Sequence, residues 1–325
     1  MKVAFVGSFG ARLADSVREK LSLPCELIVS EQETLAGNLA DVDVLVTMAF
    51  TRDMAEAAPG LRLVQAPGAG LDRIDRGAIP PGVHLANVHG HETGIAEYIM
   101  GAMIALSRSF GRLDAALRRG VWQSQWAVGQ EAPPLWPDLA GKTLGILGFG
   151  HIGQALARRA AAFDMRITAI RREVPPETPP GLAFLGGLEQ LDRVLEEADY
   201  LAVTLPLSPS TEGLIDARRL ALMKPGACLI NVARAAIVDE TALFEALSSG
   251  RLAGAALDVW YRYPADAGET RPSTLPFHEL DNVLMTPHVS GWTESMLQAR
   301  AALIAGNIER IARGEPPRNA VDPTS

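Results

Sequence analysis

Apolar residues in this chain gather in short runs, and helix-length segments with an apolar residue at every third or fourth position lie between the runs. Early in the chain the runs predict strands at 3–5, 27–29, 42–46, 61–65 and 84–86. A helical pattern over 93–117 and an irregular stretch over 122–138 follow, and later runs predict strands at 143–147, 166–170, 200–204, 227–231, 253–257 and 283–286. Strands that alternate with helices are typical of parallel sheets. We therefore expect an α/β protein with two doubly wound parallel-sheet domains.

The last helical pattern covers 294–311 and ends before Gly314, Pro316 and Pro317. No strand pattern follows it, so this helix has no sheet of its own to complete. We expect it to return to the first domain, which makes the second domain an insertion in the first. A chain of 325 residues is long enough for two domains of ordinary size.

A glycine-rich turn, Gly148-Phe149-Gly150-His151-Ile152-Gly153, stands between the apolar run 143–147 and a helical pattern. One glycine permits the tight turn, one lets backbone amides approach a pyrophosphate, and one lets the helix pack close to the strand. The phosphate oxygens would then lie at the positive end of the helix. The pattern predicts a Rossmann dinucleotide-binding domain with cofactor contacts from Gly148, Gly150, His151, Ile152 and Gly153.

Composition and charge narrow the range of partners. Hydrophobic residues make up 48% and charged residues 21% of the chain, which is ordinary for a folded globular protein. The formal net charge of −8 is spread without long runs of either sign, so neither nucleic acid nor a membrane is expected as a partner. No secretory signal pattern is seen, and only Cys25 and Cys228 are present. We expect a cytoplasmic protein without a disulfide framework or a metal site.

Further motifs carry a family resemblance. They are Leu205-Pro206-Leu207 with Thr211, Lys224-Pro225-Gly226-Ala227 leading to Asn231-Val232-Ala233-Arg234, Ala256-Leu257-Asp258-Val259, Thr286-Pro287-His288 and, earlier, the loop 68–75 with Asn87 and Ala96-Glu97. Together with the glycine turn they resemble the D-isomer-specific 2-hydroxyacid dehydrogenases over nearly the whole chain. The resemblance implies a dinucleotide-binding domain at 100–292 inserted into a flavodoxin-like substrate domain at 1–99 and 293–325. It also implies a homodimer.

The implied reaction moves a hydride between a nicotinamide and a small 2-oxo acid or D-2-hydroxy acid. A guanidinium matches the oxygens of such a substrate, and Arg234 follows a predicted strand, where open α/β sheets bind ligands. His288 is the candidate proton donor, because histidine can donate near neutral pH. Backbone amides of the loop Gly68-Ala69-Gly70 can approach the substrate carboxylate, since glycine permits close contact. His91 is a further candidate for the substrate pocket, and a capping or turn residue is the alternative interpretation.

The remaining cofactor candidates follow from the same motifs. Asp258 resembles the family residue that contacts the nicotinamide carboxamide, although a turn or helix-capping aspartate is an alternative interpretation. The other expected contacts with the cofactor come from Leu205, Pro206, Thr211, Val232 and Ala233.

One departure from the family pattern concerns the partner of His288. The glutamate that normally orients the catalytic histidine is replaced by Tyr263. A phenol can fix the tautomer of an imidazole but carries no charge at neutral pH, so it favours the imidazolium less than a carboxylate does. We therefore hypothesise a lower working pKa for His288 than a glutamate partner would give. A carboxylate in the following loop, Asp266 or Glu269, is the alternative partner.

A second departure lies after the strand 166–170, where an aspartate would bind the adenosine ribose and repel a 2′-phosphate. The chain has Arg171 and Arg172 there, with Glu173 next. Arginines suit a 2′-phosphate, so the sequence predicts a preference for NADP(H), with NAD(H) possible as well. Two solvated arginines without influence on the cofactor are the alternative.

These features predict an NADP(H)-preferring reductase of a small 2-oxo acid such as glyoxylate or hydroxypyruvate. Two alternatives stay open. One is a dehydrogenase of another small anion, of the formate, phosphite or phosphoglycerate type, which the tyrosine at position 263 leaves open. The other is a non-catalytic, nucleotide-sensing protein of the same fold, against which the retained Arg234 and His288 argue.

Overall fold

The computed structural model describes residues 1–30, 39–129, 134–264 and 268–323. The strands in these residues are β1 (Lys2–Val6), β2 (Glu26–Ser30), β3 (Val44–Thr47), β4 (Leu63–Gln65), β5 (His84–Ala86), β6 (Thr143–Leu147), β7 (Arg166–Ile170), β8 (Phe184–Gly186), β9 (Tyr200–Val203), β10 (Cys228–Asn231), β11 (Gly254–Leu257), β12 (Val283–Met285) and β13 (Ala320–Val321). The α-helices are α1 (Ser8–Arg18), α2 (Arg52–Ala57), α3 (Glu92–Ser107), α4 (Phe110–Arg118), α5 (His151–Ala161), α6 (Leu191–Glu197), α7 (Ala217–Leu222), α8 (Glu240–Ser248) and α9 (Glu294–Ala312).

The chain forms two compact units, one comprising Met1–His91 with Trp292–Ser325 and the other Glu92–Gly291. Helix α3, which the predicted boundary after residue 99 divides, lies wholly in the second unit. Its buried residues Ile95 and Ile99 explain this, because they pack in the hydrophobic core of that unit.

The sheet of the first unit has the strand order β2-β1-β3-β4-β5-β13 in the described residues. Alternate residues of β1 lie on opposite faces of the sheet, and each face has its own hydrophobic core. Val3 and Phe5 pack in the core that includes residues of α1 and α9, whereas Ala4 and Val6 pack in the second core with Phe50. All pairs are parallel except β13 with β5. The expectation that no strand follows the last helix is therefore wrong. Strand β13 escaped prediction because its two residues are too few to show a periodic pattern.

The sheet of the second unit has the order β8-β7-β6-β9-β10-β11-β12, and all of its described pairs are parallel. Apolar residues cover both faces of this sheet. Leu144 and Ile146 pack with Leu156 of α5, and Leu201 packs with Val194 of α6 on the other side. The prediction of two doubly wound parallel sheets is confirmed. Strand β8 was not predicted, since it has only three residues, follows a proline-rich stretch and ends on the first of two glycines.

The helical pattern over 93–117 is not one helix. It divides into α3 and α4 at Ser109, whose φ of 49° is left-handed and ends a regular helix. Among the described helices, none combines the length and the apolar character that crossing a membrane would require.

Candidate active site

The carboxyl ends of neighbouring strands in the second unit form one row. The last residues of five strands are paired in register; they are Leu147, Val203, Asn231, Leu257 and Met285. The residues that follow them begin the loops along this edge; they are Gly148, Thr204, Val232, Asp258 and Thr286. Doubly wound sheets bind ligands at this edge, where the strand order reverses. Here the order reverses between β6 and β9.

The glycine turn after β6 has the geometry that a dinucleotide requires. Gly148 has φ 108°, and a Cβ there would lie 2.9 Å from the backbone of Leu205. A Cβ on Gly153 would lie 2.5 Å from the carbonyl oxygen of Gly148, so only glycine lets α5 begin this close to β6. In the described structure no atom beyond Gly150 and its two chain neighbours lies within 4 Å of the Cβ position of Gly150. This open space, at the first amides of an 11-residue helix, suits a pyrophosphate.

The end of β7 carries the two arginines expected at the adenosine ribose. Arg171 is half-buried and donates its backbone N–H to the carbonyl of Gly186 at 3.0 Å, which fixes the start of the loop. Arg172 and Glu173 are exposed. Within the described chain, no ion pair engages either guanidinium. The pair can therefore turn towards an anion without breaking an existing contact with a carboxylate.

Thr211 organises the loop after β9. Its hydroxyl donates to the carbonyl of Pro206 at 2.8 Å and accepts from the backbone N–H of Ser208 at 2.8 Å. The side chain is buried, whereas Pro206 is exposed and Leu205 packs partly against the core. Thr211 thus shapes the loop. Direct contacts of these three residues with the cofactor remain predictions.

Arg234 is held at the end of β10 by a buried asparagine. The Asn231 amide donates from Nδ2 to the carbonyl of Arg234 at 3.0 Å and accepts at Oδ1 from the N–H of Ala233 at 3.0 Å. A 3-10 helix, Ala235–Ile237, begins directly after Arg234. The side chains of Val232 and Ala233 are buried, so this turn is anchored in the core. The guanidinium is half-buried, and its Nη1 donates to the carbonyl of Ala233 at 2.8 Å.

His288 lies in the loop after β12 and is paired with Tyr263. The Tyr263 hydroxyl lies 2.8 Å from Nδ1 of His288, and the two rings are 5.8 Å apart. Both side chains are exposed. The backbone of His288 has φ 59°, a left-handed conformation that costs a residue with a Cβ about 1–2 kcal/mol. Residues in such conformations persist where their surroundings hold them.

The carboxylate of Asp258 keeps the loop around His288 in this conformation. Its side chain has no exposed surface, and its Oδ1 accepts from the Thr286 hydroxyl at 2.6 Å and from the N–H of Val289 at 2.8 Å. Its Oδ2 accepts from the N–H of Ser290 at 2.8 Å. The carboxylate therefore fixes the backbone that follows His288 and binds the side chain of Thr286, two residues before it. The described contacts of Asp258 are with the protein, and its contact with a carboxamide remains a prediction.

The first unit contains the loop Gly68-Ala69-Gly70, which has the features of an anion-binding turn. The carbonyls of Gly68 and Ala69 accept from the backbone N–H of Val88 at 3.1 Å and from Asn87 Nδ2 at 3.0 Å. In the parts of the chain that are described, no protein group accepts from the amides of these three residues. With carbonyls engaged and amides available, the loop can donate to a carboxylate.

The predicted site residues are divided between the units. Arg234, His288 and Tyr263 belong to the second unit, whereas the loop 68–70 and the buried His91 belong to the first. Of the two carboxylates proposed as partners of His288, Asp266 lies outside the described residues. Glu269 is described and exposed, and it makes no contact with His288 in the described structure.

The contributions of Asn231, Thr286 and Tyr98 to the site were not predicted from the sequence. The Tyr98 hydroxyl lies 2.7 Å from the Thr286 hydroxyl, and the Trp260 indole donates to the carbonyl of Thr286 at 2.8 Å. Asn231 and Thr286 stand inside the motifs that carry the resemblance, and their positions at strand ends are the signal that marks them. Tyr98 lies within a helix and has no such signal.

Comparison with known proteins places these features in a family. The family model for the NAD-binding domain of D-isomer specific 2-hydroxyacid dehydrogenases matches residues 100–290. A D-3-phosphoglycerate dehydrogenase of Methanocaldococcus jannaschii is 36% identical over 299 residues, which are 90% of this chain and 54% of that protein. This chain therefore spans about half the length of that relative.

A glyoxylate reductase of Pyrococcus furiosus is 36% identical over 296 residues, which cover 90% of this chain and 85% of that protein. Among solved structures, an NADPH-dependent glyoxylate/hydroxypyruvate reductase of Sinorhizobium meliloti, in complex with NADP and sulfate, has a TM-score of 0.80 and 26% identity. The similarity covers 99% of this chain and 98% of that one. The chain belongs to the D-isomer specific 2-hydroxyacid dehydrogenase family and is an oxidoreductase that uses a nicotinamide cofactor.

Proposed function

We propose that the protein reduces a small 2-oxo acid, of the glyoxylate or hydroxypyruvate type, to the D-2-hydroxy acid. The observation that carries the proposal is the row of loops at one edge of the seven described parallel strands. Along this row the dinucleotide turn at Gly148, the Arg234 turn and the Asp258 carboxylate that holds the His288 loop follow β6, β10 and β11, with only the end of β9 between the first two. Relatives named glyoxylate reductase and hydroxypyruvate reductase support the substrate class.

In this proposal Arg234 binds the carboxylate and the keto oxygen of the substrate. Two N–H groups of a guanidinium donate in parallel, which fixes the plane of the oxo acid, and the positive charge of the guanidinium pairs with the negative charge of the substrate. The turn braced by Asn231 limits the positions that the guanidinium can take. The amides of the loop 68–70 are a second candidate for the carboxylate.

His288 donates the proton that the substrate oxygen needs after reduction. A bound reduced nicotinamide supplies the hydride. Because Nδ1 of His288 faces the Tyr263 hydroxyl, Nε2 is the nitrogen that delivers the proton. Nδ1 stays protonated throughout, and its N–H donates a hydrogen bond to the oxygen of Tyr263. This hydrogen bond favours the tautomer that carries its proton on Nδ1.

The experiment that tests this function follows nicotinamide absorbance with the purified protein and either reduced nucleotide. The panel contains glyoxylate, hydroxypyruvate, pyruvate, phenylpyruvate and phosphohydroxypyruvate, with formate and phosphite tested in the oxidative direction. Turnover of glyoxylate or hydroxypyruvate above the other acids supports the proposal. Turnover of only a phosphorylated acid, formate or phosphite replaces it with another dehydrogenase, and nucleotide binding without turnover favours a sensor.

NADP(H) is the cofactor that we infer for this chain. The two arginines after β7 stand where a ribose-binding carboxylate would repel a 2′-phosphate, and the nearest acidic residue, Glu173, is exposed. Solved relatives that contain NADPH or NADP support the inference. Substitution of both arginines tests whether this pair contacts the phosphate.

Replacement of both Arg171 and Arg172 by serine is expected to raise KM for NADPH at least tenfold and to change KM for NADH less than about twofold. Hydrogen bonds to a charged group contribute about 1.5–3 kcal/mol, and only NADPH has the 2′-phosphate that loses them. Steady-state kinetics at constant ionic strength measures both constants. Arg158→Ser, which removes an exposed arginine of α5, is the control. Equal effects on the two nucleotides would contradict the assignment.

We also propose that the protein is a homodimer through the apolar arm, which we define as residues 121–129 and 134–136. The arm exposes large apolar side chains: 60% of Trp122, 83% of Trp126, all of Val128 and 99% of Leu135 are accessible. Such a concentration of exposed apolar surface is typical of a protein interface.

The double variant Trp126→Asp/Val128→Asp is expected to be a monomer at micromolar concentration, where the natural chain is a dimer. The two carboxylates would be buried without partners in the interface, which is strongly unfavourable. Sedimentation velocity measures the mass of each species. Val174→Asp introduces one such carboxylate at a valine that is 45% exposed outside the arm, and it should remain dimeric. A natural chain that sediments as a monomer, or a double variant that stays dimeric, would contradict this proposal.

A further inference from the structure

A chain of hydrogen bonds joins helix α3 to the loop that carries His288. Tyr98 Oη lies 2.7 Å from Thr286 Oγ1, and Thr286 Oγ1 lies 2.6 Å from Asp258 Oδ1. An ionised carboxylate can only accept, so the Thr286 hydroxyl gives its single proton to Asp258. Tyr98 must therefore donate to Thr286, and each bond in the chain has a fixed direction.

The chain of bonds is partly or fully removed from water. Asp258 has no exposed surface, and Tyr98 is half-buried in contact with the core of the second unit. Burial raises the pKa of the Tyr98 hydroxyl above its usual value of 10, although the bond to Thr286 lowers it. Tyr98 thus stays protonated at neutral pH and remains a donor. Hydrogen bonds in such surroundings strengthen one another.

The far end of the chain controls the backbone next to His288. Asp258 accepts from the amides of Val289 and Ser290, which directly follow the left-handed His288. A carboxylate whose Oδ1 is also fixed by Thr286 has little freedom to rotate away from these amides. Tyr98 sets the rotamer of the Thr286 hydroxyl, because it occupies one of the acceptor positions of that oxygen.

We propose that Tyr98 is a positioning residue for proton donation by His288 and acts through Thr286 and Asp258. The proposal rests on the function proposed above, in which His288 donates the proton. Outer hydrogen-bond partners of this kind orient the groups that contact a ligand in other sites, and their loss lowers activity without removing any contact to the ligand. Tyr98 itself contacts neither reacting atom in this scheme.

The first test compares Tyr98→Phe with Tyr200→Phe. Each removes one hydroxyl from a tyrosine of the second unit, and Tyr200 is buried at the first residue of β9, at the end of the strand opposite to the loops of the site. Tyr98→Phe is expected to lower kcat about five- to tenfold, to raise the solvent deuterium isotope effect on kcat, and to change the Kd of the reduced nucleotide less than about twofold. Tyr200→Phe should leave all three unchanged.

A double-mutant cycle then tests the route. Thr286→Val removes the hydroxyl that links Tyr98 to Asp258, and Thr286→Ser retains it. We expect Thr286→Val to lower kcat, Thr286→Ser to restore most of the activity, and Tyr98→Phe to cause no further loss in the Thr286→Val background. Losses that multiply would overturn the proposed route, because they would mean that Tyr98 acts independently of Thr286.

A readout that needs no substrate separates this proposal from the proposed function. The NMR signal of the His288 imidazole, assigned as the one missing from His288→Gln, should shift in Tyr98→Phe and not in Tyr200→Phe. A shift in a protein that reduces no oxo acid contradicts the proposed function alone. An unchanged signal, together with a kcat within twofold of the natural protein, overturns the positioning by Tyr98.

Discussion

Replacement of Arg234 by glutamine is expected to lower kcat/KM for the preferred 2-oxo acid by about 10²- to 10³-fold. The substitution removes two charge-assisted hydrogen bonds to the substrate, which together are worth about 3–4 kcal/mol. The Kd of the reduced nucleotide should change less than about twofold. Glutamine retains polar atoms and similar bulk, so the turn braced by Asn231 should keep its structure.

Two further variants serve as a comparison and a control for Arg234→Gln. Arg234→Lys keeps the charge but loses the planar pair of donors, and it should therefore recover part of the loss without reaching the natural activity. Arg158→Gln removes an exposed arginine of the same unit and should change kcat/KM less than twofold. Stopped-flow or steady-state assays over a range of substrate concentrations measure the effect. Retention of activity within tenfold in Arg234→Gln would contradict the assignment of Arg234 to the substrate.

The glycine turn could be predicted from sequence because its requirements are local. A strand, three spaced glycines and a helix lie within one short segment, and the structure supplies the reasons. Gly153 admits the carbonyl of Gly148, and Gly148 admits the backbone after β9. The last contact is with a distant segment, so sequence indicated that glycine was needed there but not what approaches it. The short strands β8 and β13 escaped prediction because two or three residues show no periodicity.

Asp258 shows how far the arrangement of the site can be predicted from the sequence. Sequence placed it at a strand end and, through the family resemblance, suggested a contact with the nicotinamide. In the structure its oxygens accept from Thr286, Val289 and Ser290, which belong to the loop after the next strand. Parallel pairing of β11 and β12 makes these loops neighbours, and strand order cannot be read from the spacing of residues. Tyr98 joins the same group from a helix far earlier in the chain.

His288→Gln is the second large effect, with an expected loss of about 10²- to 10⁴-fold in kcat for reduction. The protonated imidazole is the active form in this direction, so the natural rate should fall as pH rises through the pKa of His288. Glutamine does not titrate, and the residual rate of the variant should lack that alkaline limb. Rates measured across the pH range at saturating nucleotide test both points. A limb that persists in His288→Gln would assign the proton donor to another group.

We expect the residue at position 263 to influence the pH at which the alkaline limb of the rate profile lies. Glutamate and glutamine have the same reach, so the pair Tyr263→Glu and Tyr263→Gln differs only in charge. A carboxylate beside Nδ1 stabilises the imidazolium, so the pKa of His288 should be higher in Tyr263→Glu than in Tyr263→Gln, and the alkaline limb should move to higher pH. The shift should be about one unit or less, because Tyr263 is 52% exposed and water screens the pair. Coincident profiles for the two variants would mean that a charge at position 263 does not change the pKa of His288, which would contradict the hypothesis.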